Sequence, residues 1–448
     1  MRFASAIATL GLVGIAALPA AAQTVSPDSA PGDEQSEATA PASLEARFDA
    51  QMNPAMELVQ HWPVDRVAAL LDVIEKVGAE GLNPEDYAPG ALRAALEIGP
   101  NEELDVLASQ TFRFLVEDLR DGRTPMDARV QWFVVDPDPD LLPTTKLMTA
   151  ALESGDVAGI LASLHPTHPD YRALREELAK TPKSQAEKRR MIRGNMDRWR
   201  WLARDLGPQY LITNVPEYQL RLTVKDKIIR TYKTIVGKPG RTATPQLAET
   251  VEGVVFNPTW TVPQSIVKGE GLGAKVLGNP AWAARNGYKA LKSENGFVTV
   301  VQQPGPGNSL GQMKIDMPNP HAIFLHDTPN RNLFSKENRA LSHGCVRTER
   351  ALELAMTVAI LGRGASKDEV VEVSTSGKYT RVPVERTMPV YITYFTYGVD
   401  IDGNLRRFDD IYGRDAPVLA ALDAPRQSNR ARKTSEEAVE IIDDLQDS

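Results

Sequence analysis

Apolar residues recur every three or four positions in the first half of the chain, a spacing typical of amphipathic helices. One such row is formed by Val67, Leu70, Leu71, Ile74 and Val77. The pattern predicts a helical domain over residues 44–202. Its clearest helices are expected at 67–77, 104–119, 171–178 and 188–202.

The pattern changes after Gly207, where apolar and polar residues begin to alternate, as in a half-buried strand. This alternation predicts short strands at 218–224, 228–236, 296–302, 322–326, 370–374 and 390–399. Asp402-Gly403 predicts a hairpin turn. The sequence thus indicates an α+β chain: a helical scaffold domain (44–202), then a β-rich, β-sandwich-like domain (203–425) with a less regular insert at about 269–294.

The chain begins with features of an export signal. Arg2 precedes an apolar run from Ile7 to Leu18, and Ala20-Ala21-Ala22 fits a small-residue cleavage site. We therefore expect a signal peptide over 1–22, a flexible leader over 23–43 and a polar tail over 426–448. No later segment is long and apolar enough to predict a membrane span. The mature protein is therefore expected outside the cytoplasm.

Charge and cysteine content narrow the function classes. The formal net charge is −8 and no basic stripe is present, which argues against nucleic acid as a partner. The chain has a single cysteine, whereas exported proteins usually carry cysteines in disulfide pairs. An unpaired thiol in an oxidising compartment is either a buried small hydrophobe or a chemically active group.

The surroundings of that cysteine favour the active group. Three of the six histidines and the only cysteine fall within the 28 positions 321–348. Pro329 and Gly344 exclude a continuous helix there. The predicted layout is a strand that ends at His326, a loop, a tight turn over 342–345, and a helix from about 348 to 361.

Each part of this stretch has a chemical reason. Only the thiolate of Cys345 is nucleophilic, and His326 can take its proton. Gly344 permits a sharp turn, and the Cys345 N–H is the first candidate donor to a tetrahedral oxyanion. A helix that starts just downstream would favour negative charge on the sulfur. Either the Asp327 carboxylate or a backbone carbonyl could fix the imidazole tautomer.

Two other interpretations use the same residues. A zinc site could be built from His321, His326, His343 and Cys345. Against it, His321 and His326 would face opposite sides of one strand, and His343 and Cys345 are only two positions apart. The second alternative is a core cysteine beside incidental histidines, although a polar, glycine-containing turn is an unusual place for a core residue.

The motif His326, then Ser342-His343-Gly344-Cys345-Val346-Arg347, resembles the catalytic motif of the L,D-transpeptidases with a YkuD-type domain. The resemblance covers about 44–422 and is strongest to the large periplasmic subgroup, whose N-terminal scaffold domain the segment 81–87 resembles. Further similar segments are 195–202, 214–218, 236–239, 257–266, 326–329 and 410–413. Arg347 stands where many relatives have Asn.

The resemblance implies that the substrate is the stem peptide of peptidoglycan. Cys345 would attack the carbonyl of its third residue, expel the terminal D-Ala, and pass the acyl group to an amine of another stem peptide as a 3→3 cross-link. His326 would act as base and then as acid. Carbapenems would be expected to acylate Cys345, and the insert would correspond to a lid.

The same resemblance assigns supporting residues. His343 and Gly344 would shape the site and the oxyanion pocket, and Arg347, Ser342 and Asp327 are the predicted substrate-binding residues. No metal or cofactor is implied. The small peptidoglycan-binding module that the subgroup often carries has no room here, so substrate capture would depend on the scaffold, the cleft or a partner, such as another cell-wall enzyme.

The acceptor of the acyl group stays open at this point. Water would make the protein an L,D-carboxypeptidase or amide hydrolase, and a protein amine would anchor an envelope protein to the wall. A different class, a non-catalytic cell-wall scaffold, would have no need of a Cys–His pair.

Overall fold

The computed structural model describes residues 59–135 and 138–426. The predicted signal peptide (1–22), leader (23–43) and all of the predicted tail (426–448) except its first residue lie outside these residues. No helix within the described part of the chain is both long and apolar enough to cross a membrane.

Helices build the N-terminal region because apolar side chains recur on one face of each. The longest, α3, begins where the Asn101 side chain accepts a hydrogen bond from Leu104 N (2.8 Å) and ends at Gly122, whose φ is +86°. Its buried face packs with α1 and α2 around Trp62 in one apolar core. The helices of this region are α1 (Val64–Lys76), α2 (Pro89–Ile98), α3 (Glu102–Asp121), α4 (Asp138–Leu141), α5 (Thr144–Ser154), α6 (Val157–Ala162), α7 (Pro169–Lys180) and α8 (Ala186–Trp199).

A curled sheet of eleven strands forms most of the second region. Its order is β13-β5-β9-β10-β12-β3-β2-β1-β14-β4, and β11 pairs with β3 off this path. The strands are β1 (Gln209–Asn214), β2 (Gln219–Val224), β3 (Lys227–Gly237), β4 (Leu247–Thr250), β5 (Gly253–Phe256), β9 (Met313–Asp316), β10 (Leu325–His326), β11 (Ala340–Ser342), β12 (Val346–Thr348), β13 (Thr380–Pro383) and β14 (Pro389–Thr393).

The insert forms a small unit of its own around an apolar cluster that includes Val262, Val267, Val276 and Val300. It contains a three-stranded sheet in the order β6-β8-β7 and three short helices, so it is larger than the 269–294 expected from sequence. Its elements are β6 (Trp260–Thr261), α9 (Gln264–Gly269), α10 (Leu272–Gly278), α11 (Pro280–Arg285), β7 (Tyr288–Lys292) and β8 (Val298–Gln302).

The C-terminal part contains the predicted hairpin at Asp402-Gly403, which joins β15 (Tyr397–Val399) to β16 (Leu405–Arg407). The remaining helices are α12 (Ala351–Arg363), α13 (Lys367–Thr375) and α14 (Asp415–Asp423). Helix α14 packs on α8, and the buried residues of α8 contact Tyr210 and Tyr391 of the sheet, so the helical region is continuous with the β-rich region through a shared core.

Four local predictions were wrong. The predicted strand 390–399 is two strands, β14 and β15, which lie in different sheets. Residues 370–374 form part of α13, because the Ser366 side chain caps Glu369 N (3.1 Å) and starts a helix. The predicted strand 322–326 is reduced to β10, since Ala322 has a φ of +53°. The helix expected from 348 begins only at Ala351, because β12 comes first. The sulfur of Cys345 therefore does not stand directly at a helix N-terminus.

Candidate active site

Strand β3 holds the segment that carries the cysteine. On one side β11 runs parallel to β3, with Ser342 opposite Gly237, and on the other β12 runs antiparallel to it, with Arg347 opposite Ile235. Residues 342–345, which lead from the end of β11 to the start of β12, are called the cysteine turn. Replacing Gly237 by any residue with a side chain would force the backbone to move, because an added Cβ would lie 1.9 Å from the Thr242 carbonyl oxygen.

The register of the sheet brings the two predicted catalytic residues together. Strands β10 and β12 are parallel neighbours, with Leu325 opposite Val346 and His326 opposite Arg347. Leu325 and Val346 are fully buried in the core. His326 therefore projects from the opposite face of β10, and Cys345 comes immediately before β12, the strand beside it. The parallel pairing of β10 with β12 thus brings the neighbourhoods of His326 and Cys345 together, although the two residues are 19 positions apart in the sequence.

Burial sets the protonation states of this pair. His326 is 4% exposed, and its burial, together with the nearby Arg347 charge, lowers the imidazole pKa to about 3. Burial likewise raises the pKa of the Cys345 thiol, although Lys314 and Arg347 act in the opposite direction. Both groups are therefore neutral at pH 7, and the imidazole is free to accept a proton.

The cysteine turn is fixed by hydrogen bonds to its own backbone. The Ser342 hydroxyl donates to the Cys345 carbonyl (2.6 Å) and accepts from Gly344 N (3.2 Å). The Thr244 hydroxyl donates to the Gly344 carbonyl (2.7 Å) and accepts from Gly237 N (2.8 Å). Gly344 has a φ of +121°, which a residue with a side chain rarely adopts. Ser342 is 2% exposed, so its hydroxyl is used within the turn.

A second, strained turn lies against the sulfur. The Cys345 Sγ is 3.6 Å from the Ala322 carbonyl oxygen, which it can reach as a weak donor. Ala322 has a φ of +53°, and the Asn319 side chain holds this conformation by bonding Ile323 N (3.1 Å) and the Ile323 carbonyl (2.6 Å). Non-glycine residues in this region are uncommon and cluster at functional sites.

Asp327 does not pair with the imidazole of His326. Its carboxylate is 2% exposed, accepts from Gln312 N (2.9 Å) and forms an ion pair with Arg331 (3.2 Å). The His326 Nδ1 has no hydrogen-bond partner within ordinary geometry, but backbone groups of Asp327 and Leu310 lie close enough to raise its pKa slightly against the effect of burial. Of the two orienting groups expected from sequence, the geometry favours the backbone.

The two other histidines of this region, His343 and His321, have contacts of their own. The side chain of His343 is half exposed, and its Nε2 lies 3.6 Å from Glu270 of the insert. The insert therefore stands beside the cysteine turn. The His321 ring lies against Phe133, with centroids 4.0 Å apart. Within the described ranges no three side chains of the metal-binding types come together, so the four residues of the alternative zinc site do not form one cluster.

Sequence reasoning missed Lys314. It lies on β9 directly opposite His326, so His326 has a cation on each neighbouring strand, Lys314 on one side and Arg347 on the other. The Arg347 Nε is buried without a hydrogen-bond partner. The only available signal was the alternation in β9, which buries Met313 and Ile315 and leaves Lys314 on the opposite face.

Two family models and a curated relative match this chain. Residues 208–392 match the L,D-transpeptidase catalytic domain of the YkuD type, and residues 59–178 match the Scaffold domain. A protein of Haemophilus influenzae, provisionally named an L,D-transpeptidase, is 32% identical over 226 residues. That match spans 47% of this chain and 45% of the relative, so it covers less than half of either.

Solved structures of L,D-transpeptidases are similar to part of this chain at low sequence identity. An L,D-transpeptidase from Mycobacterium smegmatis is 12% identical, covers 43% of this chain and 60% of its own, and has a TM-score of 0.21. L,D-transpeptidase 1 from Mycobacterium tuberculosis is 11% identical, covers 43% of this chain and 63% of its own, and has a TM-score of 0.19.

Proposed function

We propose that this chain, which combines a Scaffold domain with a YkuD-type L,D-transpeptidase catalytic domain, is a peptidoglycan L,D-transpeptidase. It forms 3→3 cross-links through a thioester on Cys345. One observation supports the proposal: β10, which ends at His326, pairs in parallel with β12, which begins directly after Cys345. A nucleophile and a base so placed, with the base neutral, are the parts that acyl transfer needs.

The first half-reaction forms the thioester. The Cys345 sulfur attacks the carbonyl carbon of the third stem-peptide residue while His326 takes the thiol proton. The C–N bond to the terminal D-Ala then breaks, and His326 returns the proton to the leaving amine. In the second half-reaction an acceptor amine attacks the thioester, gives its proton to His326, and releases the sulfur as the thiol.

The donor to the oxyanion follows from the bonds of the cysteine turn. Gly344 N already bonds Ser342, and Val346 N bonds the Phe324 carbonyl (3.1 Å). The Cys345 N–H lies between these two amides and is the donor that we assign to the developing oxyanion. Rigid placement supports this role, because a preorganised donor needs no rearrangement when charge develops.

Two cations support an anionic substrate. Lys314 and Arg347 flank His326 in register, and the Arg347 Nε has no hydrogen-bond partner among the residues that the structure describes. A stem peptide carries carboxylates, which a guanidinium binds with two parallel hydrogen bonds. We assign Arg347 to a substrate carboxylate. Ser342 and Asp327, whose polar atoms are used inside the fold, then act by holding the site in shape.

The proposed location is the periplasm, where peptidoglycan is accessible. The support is the sequence of residues 1–22, which lie outside the described residues. Stem peptides are the proposed donor and acceptor.

The test is product analysis with purified disaccharide tetrapeptides. The proposal expects a 3→3 dimer with release of D-Ala, and no product from Cys345→Ala. Tripeptide alone would identify water as the acceptor, and an adduct on an added envelope protein would identify a protein amine. No product, together with no carbapenem adduct in an intact mass spectrum, would contradict an enzymatic role and leave the non-catalytic scaffold.

A further inference from the structure

A short segment of the Scaffold domain, residues 130–133, adds itself to the edge of the catalytic sheet. The backbone of Gln246, next to edge strand β4, accepts from Phe133 N (2.9 Å) and donates to the Gln131 carbonyl (2.9 Å), and its side chain donates to the Val130 carbonyl (3.2 Å). Trp132 and Gln246 form a parallel bridge. This segment, the strap, reaches the catalytic centre along two routes.

The first route leads from Gln131 to the cysteine turn. The Gln131 side-chain oxygen accepts a hydrogen bond from the Arg414 guanidinium, and the same Arg414 nitrogen donates to the Thr244 carbonyl (3.0 Å). The Thr244 hydroxyl in turn donates to the Gly344 carbonyl, one residue before Cys345. Thr244 is fully buried and Arg414 is 3% exposed, so solvent cannot readily replace either contact.

Aromatic rings support Arg414 from two directions. Its guanidinium lies 4.9 Å from the Tyr394 ring centroid and 4.8 Å from that of Tyr412. The Tyr412 hydroxyl donates to the Gly237 carbonyl (2.6 Å), in the strand that carries the cysteine turn. Gln131 thus supplies one acceptor to this guanidinium from the Scaffold side, in addition to its contacts with the two rings.

The second route leads from Phe133 to the sulfur. The Phe133 ring packs on His321 with centroids 4.0 Å apart. His321 immediately precedes Ala322, the residue of positive φ whose carbonyl lies 3.6 Å from Cys345 Sγ. A ring contact beside a strained residue restricts the conformations of that turn. The strap thus contacts one of the two segments between which the sulfur lies, and it is linked to the other through Arg414 and Thr244.

We propose that the strap is a working part of the catalytic centre, in which Gln131 and Phe133 are positioning residues for the Cys345 nucleophile. The inference rests on the proposed acyl-enzyme chemistry. It assigns to the Scaffold domain a direct role in the rate of acylation, separate from any role in substrate capture. Small displacements of a nucleophile reduce rates strongly, which makes this role measurable.

The experiment measures carbapenem acylation of the full chain by intact mass, as a limiting first-order rate and a half-saturating concentration. Gln131→Met keeps the shape but removes the acceptor, and we expect the limiting rate to fall about tenfold with the half-saturating concentration unchanged within about twofold. Gln131→Glu keeps an oxygen acceptor for Arg414 and should stay within about threefold of wild type. Phe133→Leu should reduce the limiting rate, whereas Phe133→Tyr, which keeps an aromatic ring, should leave the limiting rate close to that of wild type.

Val157→Ala is the matched control for stability. Val157 is fully buried in the Scaffold core, in a different apolar cluster from Trp132 of the strap, so Val157→Ala should lower the melting temperature without changing the acylation rate of the folded protein. Equal rates for Gln131→Met, Phe133→Leu and wild type would overturn the inference, as would equal losses in Gln131→Met and Gln131→Glu. A changed half-saturating concentration at constant rate would show substrate binding instead of positioning. Absence of acylation in wild type would instead contradict the proposed function.

Discussion

The resting state of the Cys–His pair leads to a sharp prediction about thiol reactivity. Burial raises the pKa of the Cys345 thiol, and burial with the Arg347 charge lowers the pKa of His326 to about 3. The proton therefore stays on sulfur until a substrate binds. An ordinary cysteine with a pKa near 8.5 is about 3% thiolate at pH 7, and Cys345 should be ionised to a smaller extent than that.

Iodoacetamide alkylation measures this directly, because Cys345 is the only cysteine in the chain. We expect the folded protein to react more slowly at pH 7 than the same chain unfolded in urea, where the thiol is solvated. The rate should rise about tenfold for each pH unit between 6 and 8, since only the thiolate reacts. The unfolded chain is the internal reference, and Cys345→Ala gives the background.

The outcome that refutes this reasoning is a rate plateau with a midpoint below pH 7. Such a profile would show a thiolate–imidazolium pair in the resting protein, and burial would then not be the dominant influence on either group. A His326→Gln variant separates the two reactivities. Its alkylation by iodoacetamide should change little, whereas carbapenem acylation, which needs the base, should fall by about 10²–10⁴-fold.

Three further predictions concern the same site. Acylation should stay constant from pH 7 to 5 and decline only towards pH 3, because His326 is neutral above its lowered pKa of about 3; a midpoint near 6.5 in the rate profile would contradict this. Gly311→Ala would put a Cβ 2.3 Å from the Asp327 carboxylate and force alanine into the left-handed conformation at φ +63°. Thermal melting should therefore show that the free energy of unfolding falls by about 1–3 kcal/mol. An unchanged melting temperature would count against the contact. Ala322→Gly should raise stability by up to about 1 kcal/mol in urea unfolding, because glycine adopts φ +53° without strain, and a clear loss of stability would show that the strain assignment is wrong.

Much of the site could be predicted from local sequence because its chemistry is local. Gly344 and Cys345 lie in one tight turn, and the alternation around Leu325 predicts a strand that ends at His326. Helical spacing likewise predicts most of α3. These features depend on neighbours within a few positions, which is the range over which side-chain periodicity and turn chemistry act.

Where sequence reasoning failed, a distant contact or a competing local signal decided the structure. The Val370–Ser374 segment alternates weakly enough to suggest a strand, but the Ser366 cap begins α13. Asp327 was a plausible partner for His326 by adjacency, yet its carboxylate turns to Gln312 N and Arg331. Lys314 is inconspicuous in the sequence, because only the antiparallel pairing of β9 with β10 puts it opposite His326.

The sequence by itself determined which groups could react: one thiol, an imidazole 19 positions before it, and a glycine-containing turn that carries the cysteine. Tertiary structure alone decided that the strand ending at His326 lies beside the strand that follows Cys345, through the parallel register of β10 with β12. It also decided their protonation states, because desolvation depends on everything packed around them. Tertiary structure likewise decided the approach of Gln131 and Phe133 to the proposed catalytic centre. Each contacts a residue more than a hundred positions away, and such a contact leaves no pattern in the neighbouring sequence.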